Sequence, residues 1–363
     1  MEFEKYRLSQ LLTIKNGRDY KSLGQGSVPV FGSGGYMCSV DSYLYDRPSV
    51  LLPRKGTLSN IQYYDKGPFW TVDTCYYTIV DKNLVNSYYI YRYLRNLNLS
   101  GLDTGASIPS MTQKTYNGIK ILLPNLSIQH RIASILSTYD SLIENNTKRI
   151  RLLEKMAENL YKEWFVRFRF PGHENVEMEN GLPKGWKRGS LSDVCEFKRG
   201  KNITSSEMQE GNVPVISAGL EPSGYHSCSN VRGVNVTMSS SGANAGYIAI
   251  HYSDIWAADC SYIEESTTGN IYYVYELLNN IRTVINNFQR GAAQPHVYPK
   301  DVNRIKLILP SKELMLKANG RQEIMHKEIY NLQKQNSLLA RQRDLLLPRL
   351  MSGKLEVKEE LLE

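Results

Sequence analysis

The sequence contains the same pattern twice, at a distance of 186 residues. The first copy runs from Gly-Ala-Ser-Ile-Pro at 105–109 through an apolar run at 119–124 into a long helical pattern. The second copy has Gly-Ala-Ala-Gln-Pro at 291–295, an apolar run at 305–310 and again a long helical pattern. Because solenoid units span only about 20–50 residues, a repeat of this length indicates a duplicated domain. We therefore expect two similarly folded domains on one chain.

The composition limits the classes of protein to which the chain can belong. With 363 residues, it is long enough for two or three domains that each bury a core. No apolar run reaches the ~20 residues of a membrane-spanning helix, and the first residues lack a signal-peptide pattern. The five cysteines are scattered, which argues against a disulfide framework or a zinc site. These features predict a protein of the reducing cytoplasm, with no membrane partner.

Each half combines short strands with helices, so the predicted fold class is α+β. In the first half, β-type runs such as 28–31, 50–52 and 76–80 alternate with Gly, Ser and Asp turns, and 86–94 has a helical pattern. The second half repeats this plan. We predict two similar mixed α/β domains joined by two long antiparallel helices, with segments at 1–125 (first domain), 126–170 (central helix), 171–185 (linker), 186–310 (second domain) and 311–363 (C-terminal helix and tail).

Both long helices carry apolar residues at alternating steps of three and four, the spacing of a heptad seam. Asn146 and Asn336 interrupt the seams and either fix the register of a coiled coil or lie at a solvated edge. The apolar stripes are wider than a two-helix seam requires, which predicts that other chains bind this stem. We assign to that partner-binding surface Leu152, Met156, Leu160, Trp164, Leu338, Leu345 and Leu347.

The sequence lacks the motifs of common catalytic sites. It has no P-loop, no His-Glu-x-x-His, no Gly-x-Ser-x-Gly and no Asn/Asp-Pro-Pro-Tyr/Phe, the last being typical of adenine methyltransferases. The glycine-rich segment 32–35 does not lead into a helical pattern, so we predict a tight turn there rather than a cofactor loop. Asp73 and Asp259 are predicted to make structural hydrogen bonds. We expect no catalytic residue, no metal and no cofactor on this chain.

Loops at equivalent places in the two halves carry cations suited to phosphates and polar groups suited to base edges. The formal charge is +8, but residues 171–310 carry 12 basic and 14 acidic side chains, so a basic surface there must be local. For any single residue an ordinary solvated loop is the alternative, and the recurrence supports the set. The candidates of the first half are Lys15, Asn16, Arg18, Arg54, Lys55, Thr57, Asn60, Ser107, Thr112, Gln113 and Lys114. Those of the second half are Lys198, Arg199, Lys201, Ser239, Ser240, Ser241, Asn244, Arg290, Gln294, His296 and Lys300.

Several of these segments together resemble the specificity (S) subunit of type I restriction–modification systems. The resemblance covers essentially the whole chain and depends on short motifs that occur in order and in duplicate. The motifs are Thr104-Gly105-Ala106 with Pro109, the run Ile119–Pro124, Gln129-x-x-Ile132, Leu182-Pro183-Lys184-Gly185-Trp186-Lys187 and Leu346-Leu347-Pro348-Arg349-Leu350-Met351-Ser352-Gly353.

The resemblance implies two target-recognition domains that each read one part of a split, asymmetric DNA site, with the two helices as a spacer. It implies that two methyltransferase subunits dock on the stem, bind S-adenosylmethionine and methylate adenine N6 in a flipped base. Two restriction subunits with ATP and Mg²⁺ would complete the nuclease. This chain would then be a non-catalytic, DNA-binding subunit. The alternative is a stand-alone DNA- or protein-binding coiled-coil regulator.

The sequence departs from the family pattern at three places. Ile128 stands where a Glu often precedes the family's Gln, and the second copy has Leu314–Lys317 in place of the Gln-x-x-Ile opening, which leaves the start of the second long helix open. Ile108 occupies the place of Gln294, so a base contact by Gln is carried over only to the second half.

Overall fold

The chain divides into two compact units, which we describe separately. Unit 1 comprises residues 1–145 and 335–363, and unit 2 comprises residues 146–334. Ser107, a predicted DNA-binding residue, and Thr104 and Ala106 of the family motif lie outside the described residues. The computed structural model describes residues 2–103, 105, 108–291 and 294–357.

Unit 1 places its strands before the first long helix. The strands are β1 (Glu4–Arg7), β2 (Leu12–Asn16), β3 (Gln25–Gly32), β4 (Gly35–Val40), β5 (Ser49–Pro53), β6 (Gln62–Tyr64), β7 (Trp70–Thr71), β8 (Cys75–Val80) and β9 (Lys120–Leu123). The helices are α1 (Leu8–Leu11), α2 (Ser87–Asn96), α3 (Gln113–Asn117) and the beginning of α4 (Leu126–Tyr161).

Unit 2 begins within α4, which continues as a π-helical turn at Lys162–Val166. Its strands are β10 (Met178–Glu179), β11 (Leu182–Pro183), β12 (Lys187–Ser190), β13 (Lys198–Arg199), β14 (Val213–Ile216), β15 (Gly224–His226), β16 (Asn235–Ser239), β17 (Ile248–His251), β18 (Trp256–Ala257), β19 (Cys260–Glu264) and β20 (Lys306–Leu309). The helices are α5 (Glu265–Thr268), α6 (Ile271–Asn280), α7 (Arg282–Asn286), α8 (Pro299–Val302) and α9 (Lys312–Met351), whose end belongs to unit 1.

Corresponding strands form the same sheets in both units. Unit 1 has a four-stranded sheet in the order β2-β8-β5-β6, a three-stranded sheet β4-β3-β7 and the pair β1-β9. Unit 2 has β13-β19-β16-β17, β15-β14-β18 and β12-β20 in the same roles. The β3–β7 and β14–β18 pairs are parallel, and the other pairs of these sheets are antiparallel. The duplication seen in the sequence is therefore a duplication of topology, and the predicted fold class is confirmed.

A single core in unit 1 joins the four-stranded sheet, α2 and the stem. Val50 of β5 and Tyr89 of α2 are fully buried in the same cluster as Leu136 of α4 and Leu350 of α9. Burying side chains of this size stabilises a fold by about 1.5–3 kcal/mol each. Because the stem supplies part of this core, the domain and its stem helices form one folded unit.

Unit 2 repeats this arrangement with α6. Val236 of β16 and Tyr273 of α6 share a core with Trp164 at the end of the first long helix. Trp164 and Leu347, both assigned to partner binding from the sequence, are buried in the cores of units 2 and 1 respectively. They lie in the seam, where burying an apolar side chain within the same chain is more favourable than exposing it.

The long helices run antiparallel within each unit, as the heptad pattern predicts. In unit 1 the Arg343 guanidinium lies 2.7 Å from the Asp140 carboxylate, and residues earlier on α4 share a core with residues later on α9. In unit 2 Arg149 pairs with Glu328 at 2.7 Å, and the Arg321 guanidinium lies 5.5 Å from the centre of the Trp164 ring. Asn146 is buried and Asn336 is half-buried, so neither lies at a fully solvated edge.

Two further observations apply to the described residues only. None of their helices is long and apolar enough to cross a membrane. Within the same residues, no group of three or more His, Cys, Asp or Glu side chains has the arrangement of a metal site.

Candidate nucleic-acid interface

The predicted DNA-binding residues lie in three loops of each unit, which follow or precede strands of the sheets. Loop A includes the end of β2 or β13, loop B follows β5 or β16, and loop C precedes α3 or contains the start of α8. Their residues are 15–24, 54–61 and 103–114 in unit 1 and 198–212, 240–247 and 290–300 in unit 2.

In unit 1 the three loops meet around the turn between β7 and β8. The Arg18 amide of loop A donates to the Thr71 carbonyl at 2.8 Å, and the Arg54 amide of loop B donates to the Thr74 carbonyl at 2.9 Å. Loop C joins them because the Met111 amide donates to the Arg54 carbonyl at 3.0 Å. The candidates of loops A, B and C, far apart in sequence, therefore share one side of unit 1.

Unit 2 brings its loops together through the corresponding turn between β18 and β19. The Lys201 amide of loop A donates to the Ala257 carbonyl at 2.9 Å, and the Ser240 amide of loop B donates to the Asp259 carbonyl at 3.4 Å. The Val297 amide of loop C donates to the Ser240 carbonyl at 3.0 Å. The loops of the two units thus have different side chains on an equivalent backbone framework.

A tryptophan holds loop A in each unit. The Trp70 indole N–H donates to the Arg18 carbonyl at 2.8 Å, and the Trp256 indole N–H donates to the Lys201 carbonyl at 2.8 Å. Gly17 passes so close to the neighbouring turn that a Cβ atom would lie 2.1 Å from a backbone oxygen. The sequence showed that these tryptophans recur, but not that they position the two predicted cations.

Side chains also connect loops A and C of unit 1. The Gln113 amide nitrogen donates to the Asn16 side-chain oxygen at 3.0 Å, which fixes the amide orientation of two candidate residues. At the entrance of loop C, the Asp103 carboxylate accepts from the Gly105 and Ser110 amides, both at 2.8 Å. These backbone donors lower the pKa of Asp103 because they stabilise the ionised carboxylate.

Loop B of unit 2 contains candidates whose hydroxyls face inward. Ser239, Ser240 and Ser241 are buried, and the Ser241 hydroxyl donates to the Asp259 carboxylate at 2.5 Å. The contact fits the structural role predicted for Asp259. A buried hydroxyl must find a partner, and here it finds one inside the unit. These serines consequently have little surface to offer DNA, although the run of three serines in the sequence suggested an exposed loop.

Loop C of unit 2 presents an aromatic and cationic stack. The rings of His296 and Tyr298 are stacked with centroids 6.2 Å apart, and the Lys300 ammonium lies 5.9 Å from the Tyr298 centroid. Arg290 pairs with Asp301 at 2.9 Å but keeps most of its side chain exposed. Tyr298 was not a candidate from the sequence, and its position between two candidates was the available signal.

The remaining candidates differ in exposure, and exposure decides which can reach a ligand. Arg54, Asn60, Gln113, Asn244 and His296 are half-buried. The exposed candidates are Lys15, Asn16, Arg18, Lys55, Thr57, Thr112 and Lys114 in unit 1 and Lys198, Arg199, Lys201, Arg290, Gln294 and Lys300 in unit 2.

The stem residues assigned to partner binding also differ. Leu152 and Leu338, which are 186 residues apart, are 65% and 57% exposed. Met156 and Leu345 are similarly exposed, and Leu160 is half-buried against the core of unit 2. Exposed leucines at equivalent places on two helices form a recurring apolar surface that neither unit covers.

Comparison with known proteins agrees with this architecture. The sequence model of the type I restriction modification DNA specificity domain matches residues 1–155 and 183–346. The MjaIX type I specificity subunit of Methanocaldococcus jannaschii is 25% identical over 345 residues, covering 87% of this chain and 79% of the relative. A putative type I specificity subunit of Mycoplasma genitalium is 24% identical over 303 residues, covering 81% and 78%.

A solved structure shares the fold. The crystal structure of a type I restriction–modification S subunit from M. genitalium aligns with a TM-score of 0.70 at 20% identity, covering 96% of both chains. The duplicated domains, the paired long helices and the two matched segments agree with the resemblance found in the sequence. The chain belongs to the family of type I restriction–modification DNA specificity subunits, the non-catalytic subunits of these systems that recognise DNA and serve as a scaffold.

Proposed function

We propose that each unit reads one part of a split, asymmetric DNA site through its loops A, B and C. The observation that carries this proposal is that the same three loops meet in both units while their side chains differ. Arg54 and Lys55 of one loop B correspond to Ser240 and Ser241 of the other. One framework with two sets of side chains suits two different half-sites.

The exposed cations of the loops would contact phosphates, and the polar side chains beside them would contact base edges. Phosphate contacts contribute most of the affinity and make it depend on salt, because binding releases counterions. Arg18 and Lys201, each held by a tryptophan, are matched candidates for such contacts. Polar side chains such as Gln294 carry the donor and acceptor pair that recognises adenine in the major groove.

The exposed stem leucines would dock two methyltransferase subunits, whose S-adenosylmethionine performs the methylation. Restriction subunits with ATP and Mg²⁺ would join the same complex. Leu152 and Leu338 support this proposal because large apolar side chains exposed at equivalent places are typical of protein–protein contacts. A stand-alone regulator would be expected to cover them, and family membership also disfavours that alternative.

The proposal is tested by co-expressing the chain with the methyltransferase subunit of its host and sequencing the methylated sites. We expect methylation at a two-part sequence, and Arg54→Ala should reduce it for sites that vary in one half only. Arg54 is suited to this test because its guanidinium lies 3.4 Å from the Asp73 carbonyl at the centre of unit 1's loops. Methylation without this chain, or an equal effect of Arg54→Ala on both halves, would contradict the proposal.

A further inference from the structure

Each unit has a hairpin beside its loops that exposes large apolar side chains. In unit 1 the hairpin is β3–β4, and in unit 2 it is β14–β15. Tyr36 is 64% exposed and Met37 follows it in β4, while Leu220 lies in the unit 2 turn and is 63% exposed. The prediction of a tight turn at residues 32–35 is confirmed, since Gly32 pairs with Gly35. Exposing these side chains is unfavourable in the free protein, so a contact partner is the natural explanation.

The same side-chain clamp fastens each hairpin to loop B. The Asn60 amide nitrogen donates to the Ser33 carbonyl at 2.6 Å, and the Asn244 amide nitrogen donates to the Ala218 carbonyl at 3.4 Å. The two asparagines, predicted from the sequence to contact DNA, instead hold the turn of the hairpin. The turns that they hold differ in sequence, Ser33–Met37 in one unit and Ala218–Ser223 in the other. A shared clamp under different turns is the pattern expected of a reading element.

In unit 1 the hairpin and loop A border one open cleft of about 820 Å³. Tyr20 and Lys21 of loop A line one part, and Tyr36 and Met37 of the hairpin line another. Asp73, whose carbonyl accepts from a loop B arginine, also lines it. Apolar side chains and cations therefore border the same cleft, which favours an anionic partner with apolar edges.

We propose that the hairpin turns are apolar DNA-reading elements, with Tyr36 and Met37 contacting base edges of one half-site and Leu220 those of the other. This inference rests on the proposed function. Duplex DNA fits because phosphates match the neighbouring cations, while the thymine methyl group gives the major groove an apolar feature that such side chains recognise. Asn60 and Asn244 are positioning residues, because they act through the hairpin backbone rather than on DNA.

The test uses the full chain in complex with methyltransferase subunits and a randomised duplex library. We expect the unmodified complex to select a two-part sequence. Tyr36→Ala combined with Met37→Ala should lower discrimination roughly tenfold at one or two positions of a single half-site. Leu220→Ala should act on the other half-site, and Asn60→Ala should affect the same positions as the Tyr36 and Met37 variant.

The matched control is Met178→Ala, because Met178 is 57% exposed and Met37 is 49% exposed, but Met178 lies in β10, outside the loops and hairpins. It should leave the selected sequence unchanged. Replacing thymine by uracil at the affected positions should weaken binding of the unmodified complex roughly threefold but not that of the double variant, since only the methyl group is lost.

Three outcomes would overturn the inference. An unchanged selected sequence for the double variant would remove the hairpins from DNA recognition while leaving the proposed function intact. Loss of all binding with altered circular dichroism would be resolved by the uracil substitution, where an absent effect at every thymine refutes apolar reading. If the unmodified complex selects no sequence, the proposed function fails and the inference fails with it.

Discussion

The two units use opposite charges for the same contact between domain and stem. In unit 1 Arg92 of α2 forms an ion pair with Asp140 of α4. In unit 2 the equivalent position of α6 is Glu276, which contacts His326 of α9 at 3.1 Å. Arg92 follows the tyrosine-rich segment that the sequence repeats before Glu276, and Asp140 and His326 are 186 residues apart. The duplicated contact has therefore kept its place and reversed its polarity.

The surroundings of each pair show how both arrangements are stable. Asp140 also pairs with Arg343 at 2.7 Å and accepts from the Tyr88 hydroxyl, so its carboxylate is shared by three donors. His326 contacts the Tyr252 hydroxyl at 2.9 Å through Nδ1 and Glu276 through Nε2. Buried charged groups remain favourable only when their partners are complete.

The reversal also opposes exchange between units. A domain of unit 1 placed on the stem of unit 2 would bring Arg92 against His326, and the converse would bring Glu276 against Asp140. Neither combination gives the buried charge an opposite partner. The comparison therefore indicates that each domain is matched to its own stem segment, as asymmetric side chains specify register in coiled coils.

The strongest test of the comparison removes the carboxylate of unit 1. Asp140→Asn should destabilise unit 1 by about 3 kcal/mol, because it leaves the cation of Arg92, which is 3% exposed, without its partner. Urea unfolding with hydrogen exchange over α2 measures this loss. Asp46→Asn is the control because Asp46 is exposed. A loss no larger than that of the control would show that the pair does not hold the domain to the stem.

Acid provides a second test, because unit 2 contains a buried histidine where unit 1 has Tyr64 on the equivalent strand. Burial lowers the pKa of His251 to about 4. The unfolded chain binds this proton near pH 6.5 and the folded unit does not, so stability is complete above pH 6.5 and declines as the pH falls towards 4. Between pH 7 and 5 the loss attributable to His251 should be about 2 kcal/mol.

His251→Gln is the comparison for that test, since Gln can still meet Thr237, whose hydroxyl lies 2.9 Å from the imidazole. The variant should flatten the pH dependence of unit 2. Tryptophan fluorescence during urea unfolding is suited to it, because Trp164, Trp186 and Trp256 all belong to unit 2. Equal pH profiles for the variant and the unmodified chain would refute the assignment.

The sequence predicted the features that follow from local pattern. Alternation and turn residues predicted strands such as β3, β5 and β8, and the heptad spacing predicted α4 and α9. The start of α9 was left open because Asn319 and Gly320 interrupt a helical pattern. The structure continues the helix through them because the Asn319 side chain accepts from the Tyr272 and Tyr273 amides and so caps α6.

Features that depend on contacts between distant residues could not be predicted. Arg92 and Asp140 are 48 residues apart, and nothing in either segment shows that they meet. The inward hydroxyl of Ser241 and the clamp by Asn60 likewise depend on neighbours brought by other strands. A polar residue in a loop has the same sequence signature whether it faces solvent or holds the loop, so the candidate list mixed both kinds.

A third test removes the charge of unit 2's pair. Glu276→Gln should destabilise unit 2 by about 1 kcal/mol, less than Asp140→Asn in unit 1, because the Gln carbonyl can still accept from His326 Nε2. Urea unfolding followed by hydrogen exchange over α6 measures the loss. A loss as large as that of Asp140→Asn would mean that both contacts depend on full charge, and the contrast between the units would be one of polarity alone.

The smallest expected effect concerns loop A, which the two units hold in the same way. Trp70→Phe and Trp256→Phe each remove one indole N–H from a carbonyl at 2.8 Å. Each should destabilise its unit by about 0.5–1 kcal/mol and weaken DNA binding only modestly. Because Arg18 and Lys201 would lose their fixed position, each variant should affect a different half-site in methylation assays.

Trp186→Phe is the control for both, because that indole stacks on Phe170 and lies outside the loops. The two loop A variants are informative as a pair. If they act on opposite half-sites, the shared framework works independently in each unit despite the reversed charges at the stem. If both act on the same half-site, or if the control matches them, the tryptophans would serve the cores of their units rather than the cations of loop A.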